Sequence, residues 1–340
     1  MPLPTRSLDS LTVSAVGLGC MNLSHAYDVT PSEAEGVALL NRALDLGVTL
    51  LDTAALYGFG ANERLVGKAV MHRRAEFVLA SKCVLDVVDG KRALDGSPAA
   101  IARTLDAALV RLGTDHIDLY YLHRPDPNVP VEESVGALVR AREAGKIGAI
   151  GLSEMSAPLI RRAHAVHPIA AVQSEYSPMV RNPEVAVLDA CRELGIGFVA
   201  FSPVARGLLA GAIRNDDYVE GDIRRAMPRF REPNLSHNLK AVDAFEEIAR
   251  SLGWTPAQLS LAWVLSRGPN IVAIPGTRSI AHLEENVGAA RLNLPPDVAD
   301  RIAALFAGTA VRGARYSAAM QAQIATELLP GEELEPSPAP

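Results

Sequence analysis

A chain of 340 residues, 49% hydrophobic and 21% charged, with 23 prolines, carries ample apolar material for a packed core and lacks the composition of a disordered protein. Its formal charge of -6 argues against binding to nucleic acid or an anionic membrane through bulk electrostatics. Cys20, Cys83 and Cys191 form no Cys-x-x-Cys pair, the first residues hold no apolar signal core, and no apolar run is long enough to span a bilayer. A cytoplasmic location, without membrane or nucleic-acid partners, is therefore expected.

Short apolar or β-branched runs alternate eight times with segments whose apolar residues recur at three- and four-residue spacing. The expected strands are residues 13–19, 49–54, 77–82, 117–123, 148–154, 170–176, 197–203 and 271–276. Most are too apolar to have a wet face. Helix starts are readable at Thr30-Pro31-Ser32-Glu33, Ser97-Pro98 and Thr255-Pro256, and helices are expected to stop at Gly47, Gly113, Gly195 and Gly253. Eight such units fit a single (β/α)8 TIM barrel over residues 1–325 better than the alternative, an open doubly wound sheet.

Two segments exceed the repeat. Residues 204–237, rich in Arg, Asp, Gly and Pro, make a long excursion after the seventh strand and would overhang the face where the strands end. An extra helix over 295–306 follows the eighth unit. Residues 326–340, ending in Glu-Pro-Ser-Pro-Ala-Pro, read as a disordered tail.

Asp52, Tyr57, Lys82 and His123 stand at or just past the ends of the second, third and fourth strands, and barrel strand ends converge on one face. An ordinary tyrosine has a pKa of about 10 and donates reluctantly unless its phenolate is stabilised, which a lysine ammonium would do. Only five lysines occur in the chain, so one that ends a buried strand is unusual. Asp52 can hold Lys82 protonated, and His123 can orient a carbonyl. The set can give a proton to an oxygen, as carbonyl reduction requires, and a nicotinamide would have to bring the hydride. No Gly-x-Gly-x-x-Gly follows a strand, so a dinucleotide must be held otherwise. Ser153, Glu154 and Gln173 offer amide-binding groups, Phe201, Ser202 and Pro203 an aromatic face and loop donors, and the run Pro275-Gly276-Thr277-Arg278 precedes a helix whose N-terminus favours phosphate.

These residues resemble the aldo-keto reductases over nearly the whole chain. The match includes Asp52-Thr53-Ala54 with Tyr57-Gly58 and Asn62-Glu63, Lys82, the run Arg111 to His123, Gly151-Leu-Ser153 and Glu284-Glu285-Asn286. It looks like the bacterial, plant and yeast branch of general aldo/keto or pyridoxal reductases. The resemblance implies a barrel with an N-terminal β-hairpin and extra C-terminal helices, and a tetrad of Asp52, Tyr57, Lys82 and His123 with Tyr57 as acid. It further implies that Ser153 and Gln173 hold the carboxamide, that Phe201 stacks on the nicotinamide, and that Gly276 to Arg278, His282, Glu285 and Asn286 meet the adenosine phosphates and adenine. Glu154 replaces the asparagine of many relatives, and Gly276 and His282 replace a lysine and an arginine. Arg278 is then the cation left for a phosphate, giving NADPH as the expected cofactor with NADH left open.

Two other functions fit part of the pattern. Glu154 and Glu175 could serve glycoside hydrolysis, although aromatics to line a sugar cleft are few. A nicotinamide-binding, redox-sensing subunit is the non-enzymatic alternative. A small carbonyl substrate and no metal are expected, and no heptad or symmetric motif indicates an oligomeric state.

Overall fold

Apolar runs hydrogen-bonded on both edges and packed on both faces build the centre of the molecule. The computed structural model describes residues 2–335 apart from 25, 28, 89, 90 and 333. In chain order, β1 (Thr5–Leu8) and β2 (Leu11–Ser14) form an antiparallel hairpin, followed by β3 (Leu18–Gly19), α1 (Glu33–Asp45), β4 (Leu50–Asp52), α2 (Ala61–Val70) and β5 (Val78–Cys83). A second antiparallel hairpin, β6 (Leu85–Val88) and β7 (Lys91–Leu94), interrupts the repeat. Then come α3 (Pro98–Leu112), β8 (Ile117–Leu122), α4 (Val131–Glu143), β9 (Ile147–Ser153), α5 (Ala157–Val166), β10 (Ala171–Glu175), α6 (Val187–Leu194) and β11 (Gly197–Phe201). The chain finishes with α7 (Asn234–Ser251), α8 (Pro256–Ser266), β12 (Ile271–Ile274), α9 (Ile280–Gly288), α10 (Pro296–Leu305) and α11 (Ala318–Gln321).

The parallel strands run β3-β4-β5-β8-β9-β10-β11-β12, and backbone bonds from Gly17 N to Ala273 O (2.9 Å), Ala273 N to Ala15 O (3.0 Å) and Gly19 N to Pro275 O (3.2 Å) join the last to the first. The result is a (β/α)8 barrel with an N-terminal hairpin. Leu50, Ala80, Leu119, Tyr121, Val199 and Val272 fill its interior, and Leu8 from the hairpin is fully buried against them. Truncating one such leucine to alanine costs about 2–5 kcal/mol, because a cage closed by backbone bonds cannot collapse onto the cavity.

Four expectations change. Residues 13–19 are not one strand: Val13 and Ser14 pair back with the hairpin, and the chain turns before β3. At Gly17 in that turn, a side chain would begin 3.0 Å from the Leu50 carbonyl oxygen. The first helix is capped by Ser32 in a box with Glu35, two residues after Thr30, whereas Ser97 and Thr255 cap as expected. The β6–β7 hairpin was not anticipated, although the Asp-Gly pair between its two strands is a hairpin signal in the sequence. Finally, the segment from 326 is packed: Thr326 donates to Glu154 (2.9 Å), Glu327 accepts from Ala157 N (2.7 Å), and Asn182 donates to the Glu327 carbonyl (3.0 Å). A buried carboxylate acceptor and two N–H donors bind this segment, which composition alone does not record; residues 336–340 lie outside the described residues.

Candidate active site

Asp52 ends β4, Lys82 lies near the end of β5, and His123 follows β8, so three neighbouring strands deliver them to one rim. Tyr57 reaches the same place from the turn after β4. That turn is fixed by Asn62, which accepts from the Thr53 hydroxyl (2.6 Å) and donates to the Cys20 carbonyl (2.8 Å). Glu63 beside it accepts from Ser81 (2.6 Å) and pairs with Arg111. The motif residues Asn62 and Glu63 therefore position the loop that carries Tyr57.

The Lys82 ammonium is fully buried and donates to the Asp52 carboxylate, to the Thr53 carbonyl (2.8 Å) and to the Tyr57 hydroxyl (3.4 Å). Burial works against its charge, but Asp52 and then Tyr57 more than offset this and hold its pKa above the ordinary lysine value. Burial raises the Tyr57 phenol above its ordinary value of 10.0, against an opposing pull from Lys82. Tyr57 is therefore loaded with its proton at neutral pH. The His123 ring meets the Tyr57 ring edge-on, with centroids 5.9 Å apart.

Above these groups opens a cavity of about 400 Å³ that runs from Tyr57 and His123 to the N-terminus of α9. Ser153, Gln173, Phe201, Ser202, Pro203, Gly276, Thr277, Arg278, His282, Glu285 and Asn286 all line it. Gln173 is shared, since its amide donates to the second Asp52 oxygen (2.8 Å). At Gly276 a Cβ would lie 2.4 Å from Asn22 Oδ1 and 3.0 Å from the Gly19 carbonyl, so glycine lets the chain hug the cavity wall. Ser279 caps α9 through His282 N, leaving the positive end of that helix beside the cavity. A cavity lined both by Tyr57 and His123 and by Arg278 beside a helix N-terminus fits a dinucleotide. Arg278 also donates to the Val29 carbonyl across the mouth.

Glu154 is not part of this wall. It is fully buried, takes up a left-handed φ of 53°, and points at Arg315 and the Thr326 hydroxyl while accepting from Glu175 N (2.8 Å). An unpaired buried carboxylate is costly, so the arginine claims it. Glu175 is likewise paired with Arg206 (2.8 Å), and burial, which opposes its charge, is outweighed by Arg206 and Arg315, lowering its pKa. Neither carboxylate lines the main cavity, so the pair cannot flank a glycosidic bond.

Several cavity residues escaped the sequence reading. Arg124 follows His123 directly, a position that strand-end logic could have included. Arg206 and Arg224 come from the 204–237 excursion, which forms one wall, and Arg224 stacks over Tyr27 (5.1 Å) and Tyr218 (4.8 Å). Tyr316 enters from beyond α10. Ser202, Ala205 and Arg206 hold left-handed φ angles of 48°, 48° and 54°, strain of the kind that collects where a loop must shape a site. No local period marks these residues. Cys20 and Cys83 are buried thiols whose pKa is raised by burial, which removes them as reactive groups.

The model of the Aldo/keto reductase family matches residues 15–307, and the chain belongs to that family. It is 45% identical over 324 residues to "Aldo-keto reductase yakc [NADP(+)]" of Schizosaccharomyces pombe, spanning 93% of this chain and 95% of the relative. It is 42% identical over 305 residues to "Aldo-keto reductase str7" of Strobilurus tenacellus, spanning 86% and 89%. Among solved structures, glycerol dehydrogenase AKR11B4 from Gluconobacter oxydans superposes with a TM-score of 0.81 at 29% identity, covering 89% of this chain and 95% of its own. An aldo/keto reductase from Klebsiella pneumoniae, solved with NADP and acetate, gives 0.71 at 27% identity, covering 93% and 99%.

Proposed function

We propose that the protein reduces aldehydes and ketones to alcohols with NADPH, using Tyr57 as the general acid. The observation that carries this reading is the buried Asp52–Lys82 pair with Lys82 3.4 Å from the Tyr57 hydroxyl at the cavity floor. When bound, NADPH supplies a hydride, the two electrons that reduce the carbonyl carbon. Tyr57 and His123 orient the carbonyl oxygen. As that oxygen gains the electrons of the broken π bond, Tyr57 gives it a proton, and Lys82 stabilises the phenolate left behind. Solvent then restores the Tyr57 proton.

Ser153 and Gln173 would hold the carboxamide and Phe201 the ring face, while Gly276, Thr277, Arg278, His282, Glu285 and Asn286 would receive the adenosine end. The NADP(+) in the name of the fission-yeast relative and the NADP bound by the Klebsiella protein support the cofactor. Arg278 supports a 2′-phosphate, since a guanidinium binds phosphate through two parallel bonds. Among the described residues no helix is long and apolar enough to cross a membrane. With three buried free thiols, this supports a protein working in a reducing compartment such as the cytoplasm.

The test is NADPH oxidation by purified protein with a panel of aromatic and aliphatic aldehydes, comparing wild type with Tyr57→Phe. A loss of roughly 10²- to 10⁴-fold in kcat is expected on removing the acid. Undiminished turnover in the variant sinks the assignment of Tyr57.

A further inference from the structure

Arginines crowd the rim of the barrel, and nearly all are neutralised. Arg206 pairs with Glu175, Arg224 with Asp222, Arg229 with Glu332 and Arg315 with Glu154. Arg124 breaks the pattern. It is 8% exposed and lines the main cavity, yet among the described residues no carboxylate pairs with it. Its Nη1 donates to the His123 carbonyl (2.7 Å) and to Ser153 Oγ (3.3 Å). Those two bonds anchor one corner of the guanidinium. Among the described residues nothing takes the protons on Nε and Nη2, which lie along one edge and match the two oxygens of a carboxylate.

A guanidinium this buried is costly without a counter-charge, and a ligand can bring one. The cofactor's phosphates are poorly placed to do so. Their expected site follows β12, the eighth barrel strand, whereas Arg124 follows β8, the fourth and therefore on the opposite side of the ring. The neighbours of Arg124 are instead His123 and Ser153, and with Tyr57 these form the part of the cavity where a carbonyl is to be reduced. The strand-end carboxylates on that side are already committed, Asp52 to Lys82 and Gln173, and Glu154 to Arg315 and Thr326.

We propose that Arg124 docks a carboxylate carried by the substrate, so that the enzyme prefers aldehyde- and keto-acids to neutral carbonyl compounds. This rests on the reductase reading and assigns its substrate class. Because Arg124 and His123 are adjacent in the chain and open on the same cavity, the carboxylate and the carbonyl of a preferred substrate lie only a few bonds apart.

The experiment compares kcat/KM of the NADPH-loaded protein for the three carboxybenzaldehyde isomers and for their methyl esters, which keep the carbonyl and lose the charge. At least one acid is expected to exceed its ester by about 10- to 100-fold, as a charge-assisted bidentate contact supplies. Arg124→Met is expected to collapse that ratio towards one, and Arg124→Lys, which keeps the charge without the fork, to fall between. Benzoate is expected to raise the melting temperature of the loaded wild type more than that of Arg124→Met, a readout independent of turnover and of the Met variant's activity. Reduction of the esters with no preference for any acid, or a ratio unmoved by Arg124→Met, overturns this proposal while leaving the reductase reading standing. Failure of every aldehyde overturns both.

Discussion

The Lys82 ammonium stands 3.4 Å from the Tyr57 hydroxyl while its remaining protons go to the Asp52 carboxylate and the Thr53 carbonyl. A cation pinned on two sides can move neither away from the phenol nor into solvent. The proton donor and the charge that eases its loss are thus held in one buried unit.

The direction of the Tyr57 shift sets the pH profile. Burial raises the phenol above 10.0, so the protonated form, which acts in reduction, persists through neutrality. kcat/KM for aldehyde reduction is expected to be flat across the neutral range and to fall only in strong alkali. Alcohol oxidation needs the phenolate and should rise with pH. Profiles measured in both directions, with Tyr57 as the titrating group, check this; a reduction limb falling near neutrality contradicts it.

Breaking the buried pair should cost more than deleting it. Asp52→Ala leaves a buried ammonium without its carboxylate and is expected to destabilise the fold by about 3–5 kcal/mol. Adding Lys82→Met to that variant should recover most of the loss without restoring turnover. Urea unfolding of the two variants beside wild type decides the matter, and equal destabilisation would count against it.

Arg278 lines the same cavity as Tyr57, just before α9. Arg278→Ala is expected to weaken NADPH about tenfold, as the loss of one charge-assisted phosphate contact implies, and to change NADH little. Fluorescence titration with each cofactor provides the measurement, and an equal loss for both would move the 2′-phosphate elsewhere.

Glu175 should make the fold sensitive to acid. Arg206 and Arg315 outweigh the opposing effect of burial and hold its pKa below the ordinary 4.5. A depressed carboxylate contributes stability that is present above the unfolded value and lost as pH falls through the folded one. Glu175→Gln is expected to lower stability at neutral pH by about 3–5 kcal/mol, since Arg206 loses its carboxylate, and to flatten the decline below pH 4.5. Unfolding curves at neutral and acid pH test both halves.

Much of this architecture is written locally. Strand ends carrying Asp52, Lys82 and His123 are visible because each closes an apolar run, and Ser97-Pro98 and Thr255-Pro256 cap where their chemistry says they must. The remainder depends on partners that periodicity cannot pair. Glu154 reads as an amide-binding group until Arg315 and Thr326 arrive from the end of the chain to claim it. Arg206, in the excursion after β11, shapes the cavity with Glu175 at the end of β10 as its counter-charge. The Pro- and Glu-rich composition from residue 326 onward reads as disordered, but it cannot show that buried acceptors and donors await Thr326 and Glu327.

The barrel's first and last strands meet through only a few backbone bonds, from Gly17, Gly19 and Ala273. Until residues 271–274 have been made, β3 presents an open edge and the ring is a curled sheet with two raw sides, the form most liable to pair with another chain. Synthesis order thus leaves the joint that excludes neighbouring molecules until the eighth strand of the ring has been made. Arg315, which neutralises Glu154, and Thr326, which hydrogen-bonds to it, come later still, so this cluster is completed only after the ring has closed.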